Sequence, residues 1–347
     1  MSMASGPPPS PVEAHALTRR FGSKTAVDGI DLRVEPGEIF GFLGPNGAGK
    51  TTCVRMLVTL LRPSSGWARV AGYDVERDAN RVRGAIGVAL QQAAVDPIMT
   101  GRELLRLQGT LFGLNKSRVI ERGAELFERM GLTSVADAQV STYSGGMRRR
   151  LDLALALLHE PGVLFLDEPT AGLDPISRLS LWEEVRRLNV EFGTSVFLTT
   201  QYLEEADQLA GRLAIIDEGR IVLEGTPASL KARVGAPTLV IDVPEARRQI
   251  AESILSAYGE RVARPDGQLA VRLPGGTADV ANVVRALDAA GVALEAMSLT
   301  APTLDDVFAA ATGRRLGDSD DAAPRQPATM SSVPPQASDP ANDPPDV

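Results

Sequence analysis

Residues Gly44 to Thr51 constrain the fold of this chain more than any other stretch. They read Gly-Pro-Asn-Gly-Ala-Gly-Lys-Thr and match the pattern G-x-x-x-x-G-K-[ST]. The apolar run Ile39–Leu43 before them indicates a buried strand, and Thr52–Leu57 after them indicates the first turns of a helix. A loop between a buried strand and a helix favours an α/β domain with a mostly parallel sheet.

This loop has the residue types that bind nucleotide phosphates. Its glycines let backbone N–H groups approach a phosphate without a clash from Cβ atoms, and the helix N-terminus adds unpaired N–H groups and a positive dipole end. Lys50 is expected to reach the β- and γ-phosphates, and the Thr51 hydroxyl is expected to bind Mg²⁺. The other nucleotide-binding residues predicted in this stretch are Gly44, Pro45, Asn46, Gly47, Ala48, Gly49 and Thr52.

Composition argues against several other classes of protein. The formal net charge is -8, whereas general nucleic-acid binders usually carry a basic excess. The single cysteine, Cys53, excludes an internal disulfide and a cysteine-based zinc site, and it fits a reducing cytoplasm. No apolar run approaches the roughly 18–20 residues that span a bilayer, so membrane spans would have to come from another polypeptide.

The order of apolar and turn residues predicts several structural units. Antiparallel strands are expected before the loop, with an edge strand at His15–Phe21 and a second strand at Ala26–Val34. Apolar residues spaced by about 3.6 predict a helical insert from Thr100 to about Asp137. Strands and helices then alternate, and Gly-Ala-Pro at 235–237 marks a boundary.

Domain limits follow from these patterns. Residues 12–235 are predicted to form the main α/β domain, with a helical subdomain at about 92–140. Residues 236–313 are predicted to form a small α/β accessory domain. The stretches 1–11 and 314–347 are rich in Pro, Ser, Ala, Gly or Asp and poor in large apolar residues, so both are expected to be disordered.

An acidic pair follows the continuously apolar strand Val163–Leu166. At the end of a buried strand, Asp167 can hold Mg²⁺ directly or through water. Glu168 beside it can polarise an attacking water as a general base. The alternative is a solvated acidic turn without a catalytic role.

A second anion-binding turn is predicted at Ser144, Gly145 and Gly146, which open a helix; the alternative is an ordinary capped helix. With the phosphate loop before it and the acidic pair after it, this turn resembles the signature motif of ATP-binding cassette (ABC) transporter subunits. The resemblance covers about residues 12–312. It implies a P-loop NTPase fold, namely an ABC-type nucleotide-binding domain with an α/β core, an antiparallel β subdomain and a helical subdomain, followed by a small C-terminal α/β accessory domain.

The resemblance implies roles for further residues. In the family, the Ser-Gly-Gly turn caps the γ-phosphate of ATP held by the phosphate loop of a second subunit. Gln91 resembles the glutamine that senses Mg²⁺ and attacking water, with the adjacent Gln92 as the alternative. Asp174 resembles the D-loop aspartate at the dimer interface. Phe21 stands where the family stacks an aromatic ring on adenine, and the alternative is a core phenylalanine.

Two positions depart from the family pattern. Met147 stands where Gln is more common, and Gln201 stands at the switch position that usually carries His. Glutamine can donate a hydrogen bond to a γ-phosphate, but it has no titratable proton. Phosphate sensing at Gln201 therefore remains possible and proton shuttling does not, so we expect slow turnover that depends mainly on Glu168.

Within the family the resemblance is to the daunorubicin-resistance type of ATP-binding subunit, which serves ABC-2 type exporters. The residues that carry it are Gln91–Gly101, Tyr143–Asp152, Thr199–Gln208 and Pro302–Phe308. This implies an ATPase that uses ATP and Mg²⁺ and forms a homodimer with ATP at the interface. It would drive a separate ABC-2 type membrane permease as a peripheral subunit on the cytoplasmic face of the cell membrane, exporting a drug or another hydrophobic compound, with no nucleic-acid partner.

Two other functions stay open at this point. The chain could serve an importer or an exporter of lipid or polysaccharide, because the ATPase subunit does not itself reveal the cargo. A soluble ABC protein that acts on ribosomes or DNA is disfavoured, since the chain has one phosphate loop, one Ser-Gly-Gly turn and no long heptad insert.

Overall fold

The computed structural model describes residues 10–90, 95–262, 264 and 268–313. Within this part the strands are β1 Val12–Phe21, β2 Lys24–Val34, β3 Ile39–Leu43, β4 Ser65–Val70, β5 Tyr73–Asp74, β6 Ile86–Ala89, β7 Val163–Asp167, β8 Ser195–Thr200, β9 Arg212–Asp217, β10 Arg220–Gly225, β11 Thr238–Asp242, β12 Glu260–Arg261, β13 Leu269–Arg272 and β14 Ala296–Thr300. The α-helices are α1 Lys50–Leu57, α2 Ala79–Ala85, α3 Gly101–Leu111, α4 Lys116–Arg129, α5 Gly145–Leu157, α6 Pro175–Phe192, α7 Leu203–Leu209, α8 Pro227–Val234, α9 Arg248–Ser256, α10 Thr277–Ala289 and α11 Leu304–Thr312.

The first sheet is antiparallel and has the strand order β2-β1-β4-β5. Val12 of β1 pairs with Val34 of β2 on one side and with Val70 of β4 on the other. The prediction of an edge strand at His15–Phe21 is therefore wrong. The second partner comes from beyond α1 in the sequence, and local alternation of apolar residues carries no information about such a distant strand.

The second sheet holds the nucleotide-binding elements and has the order β10-β9-β3-β8-β7-β6. Its strands are parallel except for β10, which pairs antiparallel with β9. Every residue of β3 and β7 is buried, as expected of central parallel strands with continuous apolar runs. Because parallel strands end at the same edge, the loops after β3, β7 and β8 lie side by side. The predicted α/β fold is confirmed.

The helical insert lies where the 3.6-residue spacing predicts it. Helices α3 and α4 bury Leu104, Leu105, Leu126 and Phe127 in one cluster with Leu151 of α5. The start of α3 is stabilised by a capping box between Thr100 and Glu103. The insert is therefore packed onto the helix that follows the Ser-Gly-Gly turn.

The third sheet is antiparallel, with the order β12-β13-β11-β14, and the helices α9 and α10 cover one of its faces. The last helix does not pack on this sheet. In α11, Leu304, Val307 and Phe308 are buried against Leu43 at the end of β3 and Leu230 of α8. The sequence predicts that residues 236–313 form an accessory domain of their own. The last helix of this range, α11, instead packs its apolar face on the main α/β body.

Candidate nucleotide-binding site

The loop between β3 and α1 has a backbone that only glycine tolerates at two positions. A Cβ atom added at Gly44 would lie 2.3 Å from the carbonyl oxygen of Ile216. Gly49 has a φ of 109°, in the left-handed region, and a Cβ there would lie 2.4 Å from the carbonyl oxygen of Ala26. These close approaches position the N-terminus of α1, which begins at Lys50.

Lys50 is almost fully buried, with 4% of its surface exposed. Its ammonium group donates hydrogen bonds to the carbonyl oxygens of Gly44 at 2.7 Å and Pro45 at 3.0 Å. The same nitrogen lies 3.2 Å from Oε1 of Glu168. Burial lowers the pKa of the Lys50 ammonium, and the nearby carboxylate opposes part of that shift. The predicted phosphate-binding lysine and the predicted general base therefore meet in one site.

A cleft of about 360 Å³ opens in front of this loop. Phe21 lies at its wall with 47% of its surface exposed, and the Arg19 guanidinium lies 4.6 Å from the centre of its ring. This exposure is incompatible with a core phenylalanine, and adenine stacking stays a prediction. The lining residues of the cleft are Phe21, Lys24, Ala26, Asn46, Gly47, Gly49, Lys50, Thr51, Thr52 and Glu168.

Two of the three predicted metal-binding residues, Thr51 and Asp167, come together beside the cleft. The hydroxyl of Thr51 lies 3.3 Å from Oδ1 of Asp167, and the hydroxyl of Thr199 donates to the same oxygen at 2.5 Å. The other carboxylate oxygen of Asp167 is buried and has no hydrogen-bond partner among the residues that the structure describes. Hard oxygen donors with one buried, unpaired carboxylate oxygen fit Mg²⁺, which prefers such ligands.

Glu168 is buried and has an unusual backbone conformation. Its φ is 49°, in the left-handed region that residues other than glycine rarely adopt. Its N–H group contacts the carbonyl oxygen of Thr199 at 3.1 Å and the hydroxyl oxygen of Thr199 at 3.2 Å. Such conformations cost about 1–3 kcal/mol and persist only where the surroundings hold them, often at functional sites.

The second predicted anion-binding turn lies apart from this cleft. Ser144 caps α5 by accepting a hydrogen bond from the N–H of Met147 at 3.2 Å. A Cβ at Gly146 would lie 2.9 Å from Oγ of Ser177, so the turn packs against the start of α6. Neither Ser144 nor the two glycines are among the residues that line the cleft around Lys50.

Asp174 caps α6, next to the Ser-Gly-Gly turn. Its carboxylate accepts hydrogen bonds from the N–H of Ser177 at 3.0 Å and from the Ser177 hydroxyl at 2.5 Å, and these bonds lower the pKa of Asp174. One chain thus brings Ser144, Gly146 and Asp174 together, and it brings Lys50, Thr51, Asp167 and Glu168 together, as two separate groups.

The two predicted sensing glutamines have different outcomes. Gln201 is half-buried and lies between β8 and α7. It directly follows Thr200, whose carbonyl oxygen accepts a hydrogen bond from the N–H of Gly44 at 3.2 Å. Gln91 and the alternative Gln92 lie outside the described residues, so their roles stay predictions.

Sequence reasoning missed several residues that hold the site together. Thr199 received no role, although a polar residue inside the apolar strand β8 is a signal that could have identified it. Glu205 is fully buried, and its Oε1 accepts hydrogen bonds from Thr170 at 2.8 Å and from the indole of Trp182 at 2.9 Å. Burial raises the pKa of Glu205. In the sequence, Glu204-Glu205 resembles a solvated first turn of a helix, so no local signal marks this buried carboxyl.

Among the helices of the described residues, none has the length and apolar character needed to cross a membrane.

Comparisons with known proteins identify the family of this chain. The family model described as ABC transporter matches residues 27–171. The daunorubicin resistance ATP-binding protein DrrA2 of Streptomyces coeruleorubidus is 48% identical over 88% of this chain and 95% of its own length. The daunorubicin/doxorubicin resistance ATP-binding protein DrrA of Streptomyces peucetius is 46% identical over 90% of this chain and 95% of its own length.

A solved structure supports the fold. It is the dimeric structure of an ATP-binding cassette in a post-hydrolysis state, bound to ADP and phosphate. It aligns with a TM-score of 0.57 and 23% identity, over 62% of this chain and 98% of that one.

Proposed function

The chain belongs to the ATP-binding subunits of ABC transporters, of the daunorubicin-resistance type, and on that premise we propose that two copies bind two ATP molecules between them and power drug export through a separate ABC-2 type permease. Proteins of this family are ATPases, dimerise, and work with separate membrane components. For this chain we propose which residues form each ATP site, the use of Mg²⁺, the class of cargo and the location at the cytoplasmic face of the membrane.

One observation carries the proposed dimer: among the described residues, the two predicted parts of an ATP site lie apart on one chain. Lys50 and Thr51 line the cleft, whereas Ser144 and the glycines after it lie elsewhere on the same chain. A backbone N–H turn at a helix start is suited to a γ-phosphate, so a second copy can supply it. ATP then binds the closed dimer more tightly than the separate chains and shifts the population toward the dimer.

Three of the described side chains, Lys50, Glu168 and Gln201, have different roles in ATP hydrolysis. Lys50 contacts the phosphates and stabilises the charge that develops on them. Glu168, on the wall of the cleft, accepts a proton from the attacking water. Gln201 contributes hydrogen bonding near the γ-phosphate without exchanging a proton.

Mg²⁺ would be held by the hydroxyl of Thr51 and the carboxylate of Asp167, directly or through water. When bound, it neutralises negative charge on the β- and γ-phosphates. The hydrogen bond from Thr199 to Oδ1 of Asp167 orients the carboxylate and leaves its buried second oxygen available.

The proposed cargo rests on the two relatives, whose names specify resistance to daunorubicin or doxorubicin. We place the chain as a peripheral subunit at the cytoplasmic face of the cell membrane, held there by its permease. ATP is the energy source, and this chain need not contact the drug.

The Glu168→Gln variant tests the ATPase and the dimer together. We expect its hydrolysis rate to fall by about 10²-fold or more, because the carboxamide cannot accept the proton. ATP binding should persist, so the variant should form a dimer with saturating ATP in analytical ultracentrifugation. A variant that stays monomeric, or that hydrolyses ATP at the wild-type rate, contradicts the proposal.

The cargo is tested in inverted membrane vesicles that contain the chain together with the membrane permease whose gene lies next to its own. ATP-dependent accumulation of daunorubicin should occur with the wild-type chain and should be lost with Glu168→Gln. Accumulation of a lipid, a polysaccharide or an imported solute in place of daunorubicin would assign a different cargo while leaving the ATPase assignment intact.

A further inference from the structure

Arg149 of α5 is a buried arginine that contacts three backbone carbonyl groups from two different parts of the chain. Its surface is 8% exposed. The guanidinium donates from Nε to the carbonyl oxygen of Pro169 at 2.8 Å and from Nη2 to that of Asp167 at 3.1 Å. From Nη1 it donates to the carbonyl oxygen of Leu90 at 2.6 Å and to Oδ2 of Asp152 at 3.1 Å.

Two of these carbonyl groups flank Glu168 on either side. Asp167 and Pro169 are the residues before and after it, and the peptide between them carries the left-handed φ of 49°. A planar guanidinium with a rigid array of donors can hold two carbonyl groups in a fixed relative orientation, which a single ammonium group does less well. Arg149 therefore binds the backbone that sets the direction of the Glu168 side chain.

The other contacts of Arg149 explain how a charge is tolerated at this depth. Burial lowers the pKa of Arg149, and the carboxylate of Asp152, one helical turn later, is the largest opposing influence. Leu90, whose carbonyl accepts the third bond, directly precedes the stretch that contains Gln91. One side chain thus connects the helix of the Ser-Gly-Gly turn with both the Glu168 segment and the end of β6.

We propose that Arg149 is a positioning residue for ATP hydrolysis, which holds the backbone on both sides of Glu168 so that its carboxylate faces the attacking water. This inference rests on the proposed role of Glu168 as general base. Arg149 does not line the phosphate-loop cleft, so its loss should impair the chemical step and leave ATP binding largely unchanged.

The test compares three variants of the full chain. Before kinetics are measured, each variant must match the wild type in its thermal unfolding temperature and in the number of ATP molecules bound per chain. Arg149→Met keeps most of the buried volume but removes all the hydrogen bonds, and we expect kcat to fall by about 10²-fold, the scale of a misplaced catalytic group. The KM for ATP should stay within about threefold of wild type. Arg149→Lys should recover part of kcat, because it restores one donor group and the charge.

Arg150→Met is the matched control. Arg150 lies on the same helix and also donates to a backbone carbonyl, that of Met130 at 2.8 Å, but on the helical insert and away from Glu168. We expect its kcat to remain near wild type. Equal losses of kcat in Arg149→Met and Arg150→Met, or a loss in Arg149→Met that appears in KM alone, would overturn the inference.

A double variant separates this inference from the proposed function. If Arg149 acts through Glu168, adding Arg149→Met to Glu168→Gln should change the residual rate by less than about threefold, because effects within one catalytic unit are not additive. A further loss of about 10²-fold would show that Arg149 acts by another route. Wild-type hydrolysis by Glu168→Gln alone would instead refute the base assignment, whatever Arg149 does.

Discussion

The ammonium nitrogen of Lys50 lies 3.2 Å from Oε1 of Glu168, and both side chains are buried. The proposed phosphate-binding lysine and the proposed general base are therefore paired with each other. A triphosphate that enters the cleft competes with Glu168 for the ammonium group, since both partners are anionic. We therefore expect nucleotide binding to release Glu168, the proposed general base, from Lys50.

Replacing Lys50 with Ala should weaken ATP binding by at least about 10²-fold, because a buried charged donor to phosphate is worth several kcal/mol when removed. ATP-driven dimerisation should disappear as a consequence. Titration calorimetry with MgATP and ultracentrifugation measure the two effects. Lys231→Ala is the control, since Lys231 pairs with Asp207 outside the cleft; equal affinity of both variants would contradict the assignment of Lys50.

Replacing Thr199 with Val should raise the Mg²⁺ concentration needed for half-maximal ATPase activity by about 10-fold, the scale typical for loss of a group that orients a metal ligand. The change removes the hydroxyl that donates to Oδ1 of Asp167 and keeps the shape of the side chain. Thr199→Ser keeps the hydroxyl and should behave like wild type. A Val variant with unchanged Mg²⁺ dependence would exclude this orienting role.

Gln201→His tests the departure at the switch position. Glutamine does not titrate, whereas an imidazole changes charge near pH 6.5. We expect the variant to acquire a pH-dependent step in kcat between about pH 6 and 7 that the wild-type chain lacks. Gln201→Ala, which cannot donate to phosphate, should lower kcat without creating that step. Identical pH–rate profiles for wild type and Gln201→His would show that position 201 does not act on the reacting phosphate.

Replacing Phe308 with Ala should lower the free energy of unfolding of the main α/β body by about 3–5 kcal/mol, since a fully buried aromatic ring leaves a cavity. Phe308 is fully buried in the cluster that contains Leu43. Leu299→Ala on the exposed strand β14 is the control and should cost less than about 1 kcal/mol. Denaturant unfolding, monitored by the loss of ATP binding, measures the effect. Equal unfolding midpoints for Phe308→Ala and Leu299→Ala would mean that α11 does not stabilise the main α/β body.

Asp152 should make the free energy of unfolding decrease as the pH rises, whereas a carboxyl group with a lowered pKa has the opposite effect. Burial raises the pKa of Asp152 from 3.8 to about 6, against the opposing influence of Arg149. Because the folded-state pKa lies above the unfolded value, this group stabilises the fold fully below about pH 4, and that contribution is lost as the pH rises to about 6. The unfolding free energy of Asp152→Asn, relative to wild type, should therefore increase across this window and become constant above about pH 7.

Urea unfolding of both proteins at several pH values checks this direction. His159 lines the same cavity as Asp152, and burial lowers its pKa, so the comparison should be repeated in a His159→Gln background. A constant difference between the Asp152 variant and wild type from pH 4 to 7 would contradict the raised pKa.

The phosphate loop and the acidic pair were predictable because each is a short, contiguous pattern in the sequence. The spacing of glycines before Lys50 and the position of Asp167 after an apolar run are local patterns with a direct physical meaning. The contacts of Thr199, Arg149 and Glu205 were not predictable in this way. Each joins segments that are far apart in the chain, and a polar residue in a strand or helix does not reveal whether it is buried.

The class of fold, the phosphate loop and the acidic pair can be read from the amino-acid sequence, because periodicity and glycine spacing are properties of short segments. The packing of distant segments instead makes β1 a central strand and returns α11 to the main body. It also places Ser144 and Lys50 in separate groups within one chain. The carboxyl ends of parallel strands bring Lys50, Asp167 and Glu168 to one edge, whereas the turn at Ser144, at the start of α5, lies apart from them.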